Sequence, residues 1–167
     1  MQLYIKPHPM KRLSLFLIPI CFILSCDNKP TKNQLLEAKI DGQYFSFNGS
    51  AEKYTDYANS QKTAYEYQVY NHDRHSFLIE AYDNTFTKVI FTFPEFSARY
   101  IVELDGGQSK TYEAVSGRFR ILGTEQGNLR GDFYFKAKNI SNPSDSVIIT
   151  DGYYDIFLET KDRTFPK

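Results

Sequence analysis

From Leu36 onward, apolar and polar residues alternate with a period of two in short runs broken by turn residues. Leu36-Glu37-Ala38-Lys39-Ile40 is followed by Asp41-Gly42 and then by Tyr44-Phe45-Ser46-Phe47. Asp-Gly between alternating runs predicts a hairpin, because both turn residues tolerate positive φ. Asn48-Gly49 closes the second run, and a weaker, more polar strand is predicted from Ala51 to Tyr57. Thr63 to Tyr70 places Tyr65, Tyr67 and Val69 on one face. After the turn Asn71-His72-Asp73-Arg74, Ser76 to Tyr82 places Phe77, Ile79 and Ala81 inward. Thr85 to Phe93, rich in β-branched and aromatic residues, predicts a strand ending at Pro94; another carries Tyr100, Val102 and Leu104. Tyr112 to Val115 runs into Ser116-Gly117. Arg118 to Leu122 and Leu129 to Ala137 predict a hairpin around residues 123–128. Val147 to Thr150 and Tyr153 to Glu159 flank Asp151-Gly152. No window of 11 or more residues carries a helical period.

Nine or ten short strands with this spacing predict an all-β domain, an antiparallel β-sandwich or sandwich-like open barrel, with the sandwich preferred. The late hairpin has a predicted register. If Phe119 and Ile121 share the core face with Leu129, Phe133 and Phe135, then Phe119 lies opposite Phe133 or Gly131. Arg120 then faces Asp132 in preference to Arg130, since like charges directly opposite destabilise. A slip of one residue would expose the aromatic row.

Residues 10–26, MKRLSLFLIPICFILSC, follow a different pattern: basic, then apolar from Leu13 to Leu24. Twelve apolar residues are too few to span hydrocarbon, which takes roughly 20. Pro19 also interrupts the run. The pattern is that of a secretory signal, and Ile23-Leu24-Ser25-Cys26 resembles a bacterial lipobox. That resemblance implies cleavage before Cys26 and lipidation of its thiol. The predicted organisation is a signal peptide at 1–25, a lipid-anchored tether at 26–34, a β-domain at 35–160 and a C-terminal tail at 161–167. Met10-Lys11-Arg12 makes a better signal start than Met1, so translation is expected to begin at Met10.

Cleavage removes Lys6, Lys11 and Arg12 and no acid, which takes the formal balance from zero to −3. A faintly acidic chain without a basic run is not a nucleic-acid binder. Cys21 leaves with the signal and Cys26 is acylated, so the mature chain holds no free thiol for a disulfide, thiolate catalysis or a cysteine zinc site. The chain has 13 Tyr, 14 Phe and no Trp, and most of the rings fall on the alternating inner face, where they read as core. A glycan-binding platform is the sharper alternative for them.

Three stretches carry a family likeness: Ser116-Gly117-Arg118-Phe119-Arg120-Ile121, Gly131-Asp132-Phe133-Tyr134-Phe135-Lys136-Ala137 and Ile149-Thr150-Asp151-Gly152-Tyr153-Tyr154-Asp155. They resemble a family of uncharacterised Gram-negative lipoproteins with SGxFxI, GxFxFxA and TDGxF strands. Ala38 to Phe45 is similar to that family's opening strand pair. The likeness covers roughly residues 36–158 and matches poorly in the middle. It implies a lipid-anchored β-domain and carries over no catalytic residue.

Candidate chemistry is sparse. His72-Asp73-Arg74-His75 has metal-ligand residue types but sits in a turn, where Asp more often caps backbone. Asp41, Asp105, Asp151, Asp155 and Glu159 offer carboxylates, with no spacing that pairs two of them across a cleft. Arg118, Arg120 and Arg130 could line an anion-binding patch; the commoner reading is a solvated strand face. Tyr70, Tyr82, Tyr134 and Tyr154 fall opposite the core rows and are the candidate surface recognition residues. The expectation is therefore a non-enzymatic binding module, tethered by Cys26 at the outer membrane, with an envelope protein or glycan as partner and no cofactor or metal. The alternatives are a barrel carrying a small apolar ligand, which needs a cavity of about 300 Å³, and a glycan-active enzyme.

Overall fold

Ten strands and no helix make up the described residues, 32–58, 61–85 and 87–165 of the computed structural model. In chain order they are β1 (Gln34–Ile40), β2 (Gln43–Asn48), β3 (Ser50–Ala58), β4 (Gln61–Tyr70), β5 (His75–Asp83), β6 (Ile90–Thr92), β7 (Phe96–Glu103), β8 (Ser109–Glu125), β9 (Asn128–Asn139) and β10 (Ser146–Phe165). They form one ladder, β2-β1-β10-β3-β4-β5-β7-β8-β6, with β9 between β8 and β10. Every pair is antiparallel except β10 with β3.

Two long strands turn this ladder into a sandwich that partly closes in a ring. The first half of β10 pairs with β1 and β9, while its second half, Leu158 to Phe165, pairs with β3. Likewise β8 pairs with β7 through Ser109–Glu113 and with β6 through Arg118–Arg120. One layer is thus β2, β1, early β10, β9, late β8 and β6. The other is late β10, β3, β4, β5, β7 and early β8. Strands that switch layers through bulges are how such corners are made.

The bulges also reset which residues face inward. In β8 the register shifts between Ala114 and Ser116, with Gly117 at φ 146°. Tyr112 and Ala114 are buried before the shift, Phe119 and Ile121 after it. In β10 the shift lies between Ile149 and Gly152, with Asp151 at φ 49°. Val147 and Ile149 are buried before it, Tyr154 and Ile156 after it. Ser116-Gly117 and Asp151-Gly152, read from the sequence as strand breaks, are therefore bulges inside continuous strands.

Phe77 meets Phe47, Phe133 and Phe135 across the layers at centroid distances of 5.5, 6.1 and 6.4 Å. Phe77, Phe119, Phe133, Phe135 and Tyr154 are all fully buried, and burying such a side chain stabilises by roughly 1.5–3 kcal/mol. Tyr154 stacks on Phe119 at 5.3 Å and donates its hydroxyl to the Arg120 carbonyl at 2.9 Å. It reaches that carbonyl by crossing Gly131, where a Cβ would lie 2.0 Å from both the Arg120 oxygen and the Tyr154 hydroxyl.

Several expectations hold in detail. The Asp41-Gly42 turn takes φ of 48° and 85° and joins β1 to β2. Phe77, Ile79 and Ala81 are buried; Phe119 faces Phe133, and Arg120 faces Asp132. Two others are corrected. Of the strand predicted over Thr85–Phe93, only Ile90–Thr92 forms. Ahead of it the Thr85 amide and hydroxyl and the Lys88 amide instead donate to the buried Asp83 carboxylate at 2.8, 2.6 and 2.9 Å, a local alternative to ladder bonding. Residues 161–165, read as tail, continue β10 along β3. There Arg163 bonds both Asp56, at 2.9 and 3.3 Å, and Glu66. The signal, Met10 and Cys26 lie outside the described residues.

Candidate functional site

Alternation sends Glu52 and Tyr54 of β3, Gln68 and Tyr70 of β4, Ser76 and Leu78 of β5 and Ile101 of β7 to the outer face of the second layer. The register aligns Glu52 with Gln68, Tyr70 with Leu78, and Ser76 with Ile101; Lys161 of β10 lies beside Tyr54. Together with Asn71 and His72 these residues line an open groove of about 410 Å³. Its apolar wall is Tyr70, Leu78 and Ile101, with the His72 ring 5.3 Å from that of Tyr70.

The groove's polar centre is Glu52, which is almost fully buried. It accepts hydrogen bonds from the Tyr70 hydroxyl at 2.8 Å and from the Tyr54 hydroxyl, and pairs with Lys161 at 2.7 Å. Burial pushes the Glu52 pKa up, but the bonds from Lys161, Tyr54 and Tyr70 together outweigh it and hold the carboxyl below its ordinary value. The Tyr54 pKa is raised by donation to Glu52, then by burial; that of Tyr70 is raised by burial first and Glu52 second. Both phenols therefore remain protonated donors to an ionised carboxylate. Arg163 lies over the Tyr54 ring at 4.1 Å. Two rings are thus fixed by one charge, which makes a preorganised surface.

A second depression, lined by Lys32, Asn33, Gln34, Gly49, Phe157 and Glu159, shares Glu52 and Tyr70 with the groove. The point where the chain enters the domain is therefore next to it.

The structure disperses the four candidate tyrosines. Tyr70 is in the groove. Tyr82, 53% exposed, lines a separate depression with Glu80, Pro94 and Glu95. Tyr134, 47% exposed, lies on the other layer beside Arg118, whose guanidinium is 5.3 Å from its ring. Tyr154 is a correction: it belongs to the core, because the bulge at Asp151 inverts the alternation that would have placed it outside. No continuous tyrosine strip forms.

The charged candidates are engaged locally. Arg118 and Arg120 share Asp132; Arg130 bridges Asp155, at 2.9 Å, and Glu125. Asp151 pairs with Lys39 at 2.8 Å and Asp105 with Arg74 at 2.9 Å; Asp41 accepts the Ile148 amide at 2.8 Å. His75 is bound to the Tyr100 hydroxyl at 2.5 Å and lies 4.7 Å from the Phe45 ring, while His72 lies against Tyr70. Among the described residues no group of three or more His, Cys, Asp or Glu is placed to hold a metal. Sequence reasoning missed Glu52, Tyr54, Leu78, Ile101 and Lys161. Only strand pairing brings them together, and no local pattern marks them.

No family model matches the chain, no curated protein matches it, and no solved structure matches it.

Proposed function

We propose that this chain is a lipoprotein of the cell envelope, anchored at the outer membrane by lipidated Cys26, and that it works as a non-enzymatic binding module through the groove across β3, β4, β5 and β7. The observation that carries the reading is the groove itself: two tyrosines held by one buried carboxylate, facing an aliphatic wall. Binding sites are typically concave, mostly apolar and fitted with a few placed polar groups. The filled aromatic interior favours a surface site over an internal carrier cavity. The mixture of rings, amides, a carboxylate and an ammonium suits a ligand with one apolar face and a polar rim, such as an envelope glycan.

The anchor is consistent with the groove's position. Five residues lie between Cys26 and Lys32, which limits the reach to at most roughly 20 Å. That keeps the groove close to the membrane surface.

The test is titration of the detergent-purified chain with solubilised envelope glycans, followed by tyrosine fluorescence, which no tryptophan obscures. Tyr70→Ala is expected to weaken binding about tenfold or more, the size of losing one stacked ring of roughly 1.4 kcal/mol. Tyr134→Ala should leave binding unchanged. Saturable binding that ignores Tyr70→Ala, or no binding to any envelope glycan, refutes the glycan reading.

A further inference from the structure

The free edge of β2 is built to accept another strand. Among the described residues β2 pairs only with β1, in an unbroken register from Leu35 opposite Asn48 to Ile40 opposite Gln43. The two-residue turn makes Ile40 and Gln43 a hydrogen-bonded pair, so Ala38 with Phe45 and Leu36 with Phe47 are bonded too. The backbone N–H and C=O groups of Tyr44, Ser46 and Asn48 consequently point outward.

Natural edges are usually blunted by charge, proline, a bulge or brevity. Gln43-Tyr44-Phe45-Ser46-Phe47-Asn48 has none of these. The opposite edge of the same layer shows the contrast. Strand β6 is three residues long and is followed by Pro94, and the Thr92 amide and carbonyl are both taken by Glu95, at 3.1 and 2.7 Å.

We infer that β2 pairs antiparallel with β2 of a second copy of this chain about a two-fold axis at Ser46, joining the two edge layers into one sheet. The register follows from the geometry. Outward groups must meet outward groups, and one alignment uses all three residues on each chain: Tyr44 opposite Asn48 of the second copy, Ser46 opposite its own counterpart, and Asn48 opposite Tyr44 of the second copy. That gives six backbone hydrogen bonds. On the inner face it sets Phe45 against Phe47 of the second copy, covering a ring that is half-buried in the single chain. No charged side chain on β2 opposes another. A two-fold pair also closes on itself, whereas a head-to-tail pairing would propagate.

The test uses the full chain in membranes and in detergent. Ser46→Cys places two thiols on the axis, with Cα atoms about 5.5 Å apart. It should cross-link to a dimer with a short bifunctional thiol reagent, and the unsubstituted chain controls for Cys21 and Cys26. Tyr44→Cys and Asn48→Cys should each fail alone, because like positions are then separated by four residues, roughly 13 Å. Co-expressed together they should cross-link. Ser46→Lys and Ser46→Glu, both at an exposed position, should each shift the mass in detergent from dimer to monomer, and an equal mixture should restore the dimer. Dimers that survive Ser46→Lys, equal cross-linking at positions 44, 46 and 48, a monomeric parent chain, or capture of a different polypeptide at Ser46→Cys would each overturn the inference.

Discussion

Tyr154 separates the bulged β10 of the structure from the simple alternation of its sequence. Plain alternation puts this residue on the surface; the bulge at Asp151 puts it in the core with no exposed area. Replacing it with alanine removes a ring that stacks on Phe119 and leaves a cavity over Gly131 of β9, which costs about 4 kcal/mol. For a domain of this size that is roughly a 10–15 °C fall in Tm. Tyr154→Phe keeps the ring and loses only the hydroxyl bond to the Arg120 carbonyl, a cost of about 1 kcal/mol. Tyr82→Ala, at a half-exposed site, should stay within about 0.5 kcal/mol. Urea unfolding of the three variants, followed by circular dichroism, measures all of this. If Tyr154→Ala is as mild as Tyr82→Ala, β10 lacks the bulge and its later residues are assigned to the wrong face.

Three more outcomes are expected. Gly131→Ala should cost about 3 kcal/mol by denaturant midpoint, because its new Cβ meets a backbone oxygen at 2.0 Å that cannot swing away; a loss below about 1 kcal/mol would show that β8 and β9 separate easily. Alkali should unfold the protein progressively between about pH 10 and 12. Burial first, then nearby acids and phenols, pushes Tyr67 and Tyr100 up to about 12, so the folded state keeps protons that the unfolded chain releases from about pH 10, and stability falls as pH rises through that window. Flat stability to pH 12 would contradict that burial. In acid the sign reverses: the Glu52 pKa is depressed, so its contribution is complete above the ordinary carboxylate range and is lost as pH falls through the lower folded-state value. Glu52→Gln should flatten that limb of the stability profile; an unchanged acid limb would mean that Glu52 is not held by Lys161 and the two phenols.

The parts of the fold legible in the sequence are those in which local pattern and partner agree. The β1–β2 hairpin follows from Asp41-Gly42, and the opposition of Phe119 to Phe133 follows from parity and charge. The continuity of β8 and β10 is not legible in the sequence. A turn and a bulge draw on the same residue chemistry, positive φ at Gly or Asp. The choice between them depends on whether a neighbouring strand keeps bonding past the irregularity. Strand β9 does so on both sides of Gly117 and of Asp151, and the residues at the irregularity carry no mark of that pairing. Plain alternation misplaces Tyr154 for that reason alone. The groove was legible only at Tyr70. Glu52, Leu78, Ile101 and Lys161 come from four strands and become neighbours through register, as no spacing along the chain could reveal.

The anchor at Cys26 is the claim on which the envelope reading rests, and intact-mass analysis of the chain recovered from membranes tests it directly. The predicted result is a polypeptide beginning at Cys26 and heavier than its sequence by a diacylglyceryl group and its acyl chains, with Cys26→Ala leaving an unprocessed precursor or a released protein. A chain that begins upstream of Cys26, or one that begins there without lipid, would contradict it.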